Sequence, residues 1–133
     1  MTSKIQYIGN LRTECEHVAS GNKLFTDAPI DNKGKGEFFS PTDMVATALG
    51  SCALTIMGIF CQEHAIAFNI ATVEVTKVMV SNPRRIEKVI LEMDLSGNNW
   101  DDKIAKKVIQ AGKNCPVAKT LGDNINIEWK IKW

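Results

Sequence analysis

No excess of charge of either sign marks this chain. Its 133 residues carry 16 Lys and Arg against 15 Asp and Glu, a formal net charge of +1. That balance leaves no basic face for nucleic acid and no charge block that would keep a segment unfolded. The opening residues, Met1-Thr2-Ser3-Lys4-Ile5-Gln6-Tyr7, lack the apolar core of a signal peptide, so a cytoplasmic protein is expected. Internal repeats and low-complexity tracts are also lacking. One domain spanning residues 1–133 is large enough to bury a core without disulfide staples or a metal. Histidine is scarce, at two residues, whereas there are four cysteines. In a chain with no export signal, such thiols are reactive groups or metal ligands more often than bridges.

Charge is missing altogether from Met44 to Cys61. The stretch reaches the lower limit of length for crossing a bilayer. Thr47, Gly50, Ser51, Thr55 and Gly58 dilute it, however, and Asp43 and Glu63 stand at its ends. A helix apolar on nearly every face is expected instead at the buried centre of a soluble protein, with no membrane partner.

The elements follow from period and punctuation. Ile5, Tyr7 and Leu11 among polar neighbours, then Arg12 to Ala19 and Lys23 to Thr26, read as strands, the last two joined by the turn Ser20-Gly21-Asn22. Asp27 to Phe39 is a loop long enough to be functional. Ser40 is a good N-cap, Pro41 suits the first helical position, and Asp43 can close a capping box, so a helix runs from Pro41 to about His64. Thr72 to Val80 and Arg85 to Leu95 read as strands around the turn Ser81-Asn82-Pro83-Arg84, with Val89, Leu91, Met93 and Leu95 on one face. Asn98 or Asn99 is expected to cap a helix striped by Ile104, Ala105, Val108 and Ile109 and ended by Gly112. A short helix from Pro116 to Leu121 precedes a strand in which Ile125, Ile127, Trp129, Ile131 and Trp133 alternate with polar residues. The order β-β-β-α-β-β-α-α-β predicts an α+β fold with a largely antiparallel sheet.

The chemistry lies with Cys52 and Cys115. Only a thiolate attacks efficiently, and a free thiol titrates near pH ~8.5. Cys52 sits in the third turn of its helix or beyond, where the dipole has faded and burial disfavours its anion. If it reacts, a cation must lie beside it. Cys115 precedes Pro116 and so takes an N-cap, where the dipole favours the anion, and physics alone names it the more acidic thiol. The alternative is that both cysteines are small packing residues, a reading that also fits Cys61. A second constellation, Cys15 with His17 and Cys61 with His64, could in principle furnish a Cys2His2 zinc site, but its spacing matches no common finger or ribbon. His17 and His64 are expected at the surface, and no metal or cofactor is called for.

Ser40-Pro41 through Cys52 in a small-residue helix, and Asn114-Cys115-Pro116-Val117-Ala118-Lys119-Thr120-Leu121 before a final strand, resemble the OsmC/Ohr family of thiol-dependent hydroperoxide reductases. The element order matches as well, over the full length. The resemblance implies an intertwined homodimer around two central cysteine helices, with active sites at the dimer interface. It implies that Cys52 is the peroxidatic thiolate, attacking an organic hydroperoxide, and that Cys115 closes a disulfide later opened by a dithiol reductant. This reverses the order given by the helix dipole.

The family's activating cation is an N-terminal arginine held by a carboxylate just after the helix proline. Arg12 is the one arginine before Cys52, so the resemblance gives it the role; otherwise it is an ordinary residue of a strand surface. The carboxylate does not match, because Thr42 stands in its position, with Asp43 next and Glu37 in the preceding loop. That departure sets the chain nearer the broad OsmC-like branch. A non-catalytic thiol sensor, or a small-ligand-binding dimer of the same fold, is the competing reading.

Overall fold

Alternating side chains and a tight turn build the first sheet. The computed structural model describes residues Met1–Trp133, which fall into two compact units, Met1–Val45 and Ala46–Trp133. In the first, β1 (Ser3–Gly9), β2 (Arg12–His17) and β3 (Lys23–Asp27) form an antiparallel sheet in that order. Leu11, expected in a strand, lies in the β1–β2 turn with φ 60°. The β2–β3 turn closes through Gly21 N–H to His17 O at 2.8 Å, with Gly21 at φ 73°. This sets the register. Ile5, Cys15 and Leu24 stand in one cross-strand row, and Arg12 stands opposite Asp27. The loop that follows holds one 3₁₀ turn, Ile30–Asn32.

The central helix α1 (Pro41–Glu63) begins as its sequence requires. Ser40 N–H donates to Asp43 Oδ2 at 2.8 Å, and Asp43 N–H donates to Ser40 Oγ at 3.1 Å, which completes the capping box.

In the second unit, β4 (Thr72–Val80) and β5 (Arg85–Asp94) pair antiparallel, and β6 (Asn126–Lys132) lies parallel to β5. Two helices, α2 (Asp102–Lys113) and α3 (Pro116–Leu121), supply the crossover that a parallel pair needs. Val89, Leu91, Met93 and Leu95 are buried from one face of the β5 segment. They share a core with Leu49, Ala53, Met57 and Cys61 of α1 and Ala105, Val108 and Ile109 of α2. One face of α1 is thus engaged in this core, through Ala46, Leu49, Gly50, Ala53, Met57 and Cys61, while Ala48, Ser51, Thr55 and Ile59 stay exposed, so the helix is not buried on nearly every face. The fold is α+β in the expected order, and three of its four strand pairings are antiparallel.

Two helix boundaries differ from expectation. Asp101, not Asn98 or Asn99, caps α2 by accepting from Ile104 N–H at 2.7 Å. Asn98 is occupied elsewhere: its side chain accepts from Asn69 N–H and donates to the carbonyls of Ile70 and Leu95. Gly112 does not end α2 but lies inside it, where a side chain would strike Met57 of α1.

Candidate active site

Cys52 and Cys115 come together although most of the second unit separates them in sequence. Cys52 is half-buried on α1. Cys115 is fully buried at the N-cap of α3, with Pro116 in the first turn as its sequence predicts. Its Sγ accepts from Ala118 N–H at 3.4 Å, so the expected cap exists. Both thiols are free.

The cap does not make Cys115 acidic. Burial raises its pKa above the ordinary thiol value, outweighing the pull of the Ala118 amide, and Cys52 is near enough to raise it further through hydrogen bonding and charge. The dipole argument fails here because the sulfur is out of water, and desolvation penalises the anion more than one amide favours it.

The other two cysteines have different surroundings. Cys61 is buried two turns or so further along α1, and burial raises its pKa. Cys15 is half-buried on β2, with Thr13 Oγ1 at 3.8 Å from its Sγ. His17 and His64 are exposed; the Nδ1 of one meets Ser20 Oγ, and that of the other meets Phe60 O. No three His, Cys, Asp or Glu side chains converge as metal ligands would.

Arg12 belongs to the first unit and is no ordinary surface residue. Its Nε donates to Asp27 Oδ1 at 2.6 Å and its Nη2 to Asp27 Oδ2 at 2.9 Å. Nη2 also donates to Glu37, and the guanidinium lies 4.6 Å from the centre of the Phe38 ring. Asp27 is almost fully buried, and its bonds to Arg12 hold its pKa below the usual carboxylate range. The same bonds raise the pKa of Arg12 above its already high ordinary value. Glu37, one of the carboxylates picked out in the sequence, therefore does reach Arg12. Asp43 instead serves the helix cap, and Thr42 Oγ1 hydrogen-bonds Ser40 Oγ at 3.1 Å. Asp27 was not anticipated. The signal for it was present in the β2–β3 turn, whose register sets residue 27 opposite residue 12.

A model of the OsmC-like protein family matches residues 34–130. The chain belongs to the OsmC-like family. A Psychrobacter arcticus protein named for osmotic stress induction and detoxification response is 45% identical to this OsmC-like chain, covering 99% of it and 96% of its own length at a TM-score of 0.93. An organic hydroperoxide resistance protein OsmC from Legionella pneumophila shares the fold at 15% identity and a TM-score of 0.78, over 100% of this chain and 98% of the other. The organic hydroperoxide resistance protein OhrB of Bacillus subtilis does so at 17% identity and a TM-score of 0.67, covering 99% and 98%. No curated protein matches the chain.

Proposed function

We propose that this OsmC-like protein is a cytoplasmic, thiol-dependent peroxidase that reduces organic hydroperoxides in oxidative-stress defence. One domain, residues 1–133, carries the activity within a homodimer. The observation that supports this reading is the nearness of Cys52 to Cys115, two free thiols distant in sequence, the second buried so that its pKa is raised.

The Cys52 thiolate attacks the distal oxygen of the hydroperoxide. The O–O bond breaks, sulfur is oxidised to the sulfenic acid, and the leaving alkoxide takes a proton to become the alcohol. The Cys115 sulfur then displaces hydroxide from the sulfenic acid, forming the disulfide and, with its own proton, water. An external dithiol returns both cysteines to thiols and is itself oxidised to a disulfide. Arg12 is the cation assigned to favour the Cys52 thiolate, on the strength of the family resemblance and of its fixed, permanently charged guanidinium.

The dimer is supported by an uncovered stripe on α1: Ala48, Ser51, Thr55 and Ile59 are exposed and recur at helical spacing. In the first unit Ile5, Tyr7 and Leu24 are exposed as well.

The deciding experiment is consumption of cumene or tert-butyl hydroperoxide by the pure protein with dithiothreitol or dihydrolipoamide. Turnover supports the peroxidase. Oxidation of the cysteines without turnover under any dithiol favours the thiol sensor, and no reaction at all favours a ligand-binding dimer.

A further inference from the structure

We infer that Asp27, with Glu37 beside it, is the positioning carboxylate of Arg12, and that it fixes the guanidinium so that Nη1 is left as the donor for an anionic group. The inference rests on the reading of Arg12 as the activating cation and says how that cation is held in a chain with Thr42 after the helix proline.

The geometry is specific. Two parallel N–H···O bonds, Nε to Oδ1 and Nη2 to Oδ2, define both the position and the plane of the guanidinium, which a single bond cannot do. The carboxylate is itself anchored. Asp27 is the cross-strand partner of Arg12, it is almost fully buried, and its Oδ2 also accepts from Glu37 N–H at 3.0 Å. One buried side chain therefore orients the arginine and ties down the loop that brings Glu37 to Nη2. Phe38, next in that loop, stacks against the cation.

With Nε and Nη2 engaged, Nη1 is the guanidinium nitrogen that makes no hydrogen bond. Its two N–H groups are free for a thiolate, or for the alkoxide that develops as the O–O bond breaks. Two carboxylates on one cation offset part of its pull on a third anion. Held on the Nε and Nη2 side, they leave the Nη1 edge as the one through which the guanidinium can donate to that anion.

The test compares wild type with Asp27→Asn and Glu37→Gln, using two readouts. The first is solvent exchange of the Arg12 Nε–H, followed by ¹⁵N NMR. It is slow in the wild type, at least tenfold faster in Asp27→Asn, and little changed in Glu37→Gln, which touches only Nη2. The second is the pH profile of kcat/KM for cumene hydroperoxide. In Asp27→Asn its acid limb moves up by about one unit, and kcat/KM at neutral pH falls about tenfold, as expected for a cation less well placed beside a thiolate. A purely structural role for Asp27 would lower the amount of folded protein without moving the limb. Should Asp27→Asn fail to fold, Asp27→Glu keeps the charge, displaces the carboxylate by one methylene and carries the same two readouts. Unchanged Nε–H exchange, or an unmoved acid limb in an active variant, overturns the inference. Absence of peroxide consumption in the wild type overturns the proposed function alone, because the exchange measurement still decides whether Asp27 positions Arg12.

Discussion

Gly112 of α2 lies against Met57 of α1 so closely that a Cβ on it would come within 2.4 Å of the Met57 Cε and 2.8 Å of its Cγ. The carbonyl oxygen of Ala53 would stand at 3.2 Å. The two helices meet where the smallest residue of one faces the middle of the other. Cys115 follows directly after the end of α2, its N–H bonded to Gly112 O at 3.1 Å. The close approach that brings the second thiol toward Cys52 thus depends on a missing side chain.

Gly112→Ala is accordingly expected to destabilise the protein, although alanine favours a helix by roughly 1 kcal/mol over glycine. Overpacking a dense core costs about 1–3 kcal/mol, and here part of the obstruction is backbone, so a net loss of about 1 kcal/mol should appear in urea unfolding. The rate of Cys52–Cys115 bridge formation should fall with it. A gain in stability would mean that Met57 swings aside freely.

Alkaline pH should weaken the fold. Burial raises the pKa of Cys61, and burial with the neighbouring Cys52 raises that of Cys115. A group whose folded pKa lies above its unfolded one contributes stability that is fully present below the unfolded value, near ~8.5 for a thiol, and is lost as pH rises through the folded value. The Tm should therefore drop above about pH 8.5, and Cys61→Ala should flatten that drop. Thermal melts from pH 7 to 10 check it, and an equal drop in Cys61→Ala would remove Cys61 from the account.

Acid should act through Asp27, with the opposite sign. Its folded pKa is depressed, first of all by the Arg12 hydrogen bond, so its contribution is present above the ordinary carboxylate value and lost as pH falls through the folded one. The Tm of the wild type should fall below about pH 4, and that of Asp27→Asn should fall less steeply.

Much of the fold was legible because period and punctuation agree. The Ser40–Asp43 capping box, the buried face from Val89 to Leu95 and the alternation in β6 each follow from local rules, and all of them hold. What escaped was set by tertiary contact. The cap of α2 moved to Asp101 because Asn98 was needed to bind the backbone at Asn69 and Ile70, far away in sequence. Cys115 was legible as an N-cap but not as buried, and its burial reverses the sign of its shift. Asp27 was hidden at the strand–loop boundary, where a carboxylate reads as a turn residue until the register is counted.

Assembly should be visible in solution. The stripe of Ala48, Ser51, Thr55 and Ile59 on α1 is exposed in the single chain, and leaving such surface wet is unfavourable by about 25 cal/mol for each Å² of apolar area. Sedimentation equilibrium at micromolar concentration should give the mass of two chains. Thr55→Arg, which adds charge to that stripe, should give one. A wild type that stays monomeric would remove the dimer from the proposal.

The sharpest outcome concerns the bridge itself. One equivalent of cumene hydroperoxide should join Cys52 to Cys115, because Cys52 is near enough to bear on the Cys115 thiol; the bridge requires their Cα atoms to come within about 7 Å. Cys61 should stay reduced, since it is buried and its thiolate is disfavoured, and Cys15 should stay reduced on its separate strand. Cys52→Ser should lose turnover entirely. Cys115→Ser should react once and stop, its Cys52 trapped as a sulfenic acid that further peroxide carries to the sulfinic acid. Peptide mass spectrometry distinguishes every one of these species. Full turnover by Cys52→Ser, or a bridge through Cys15 or Cys61, would show that the attacking thiol had been misassigned, while a stalled Cys52→Ser and an active Cys115→Ser would show that the reductant opens the sulfenic acid directly, without the second cysteine.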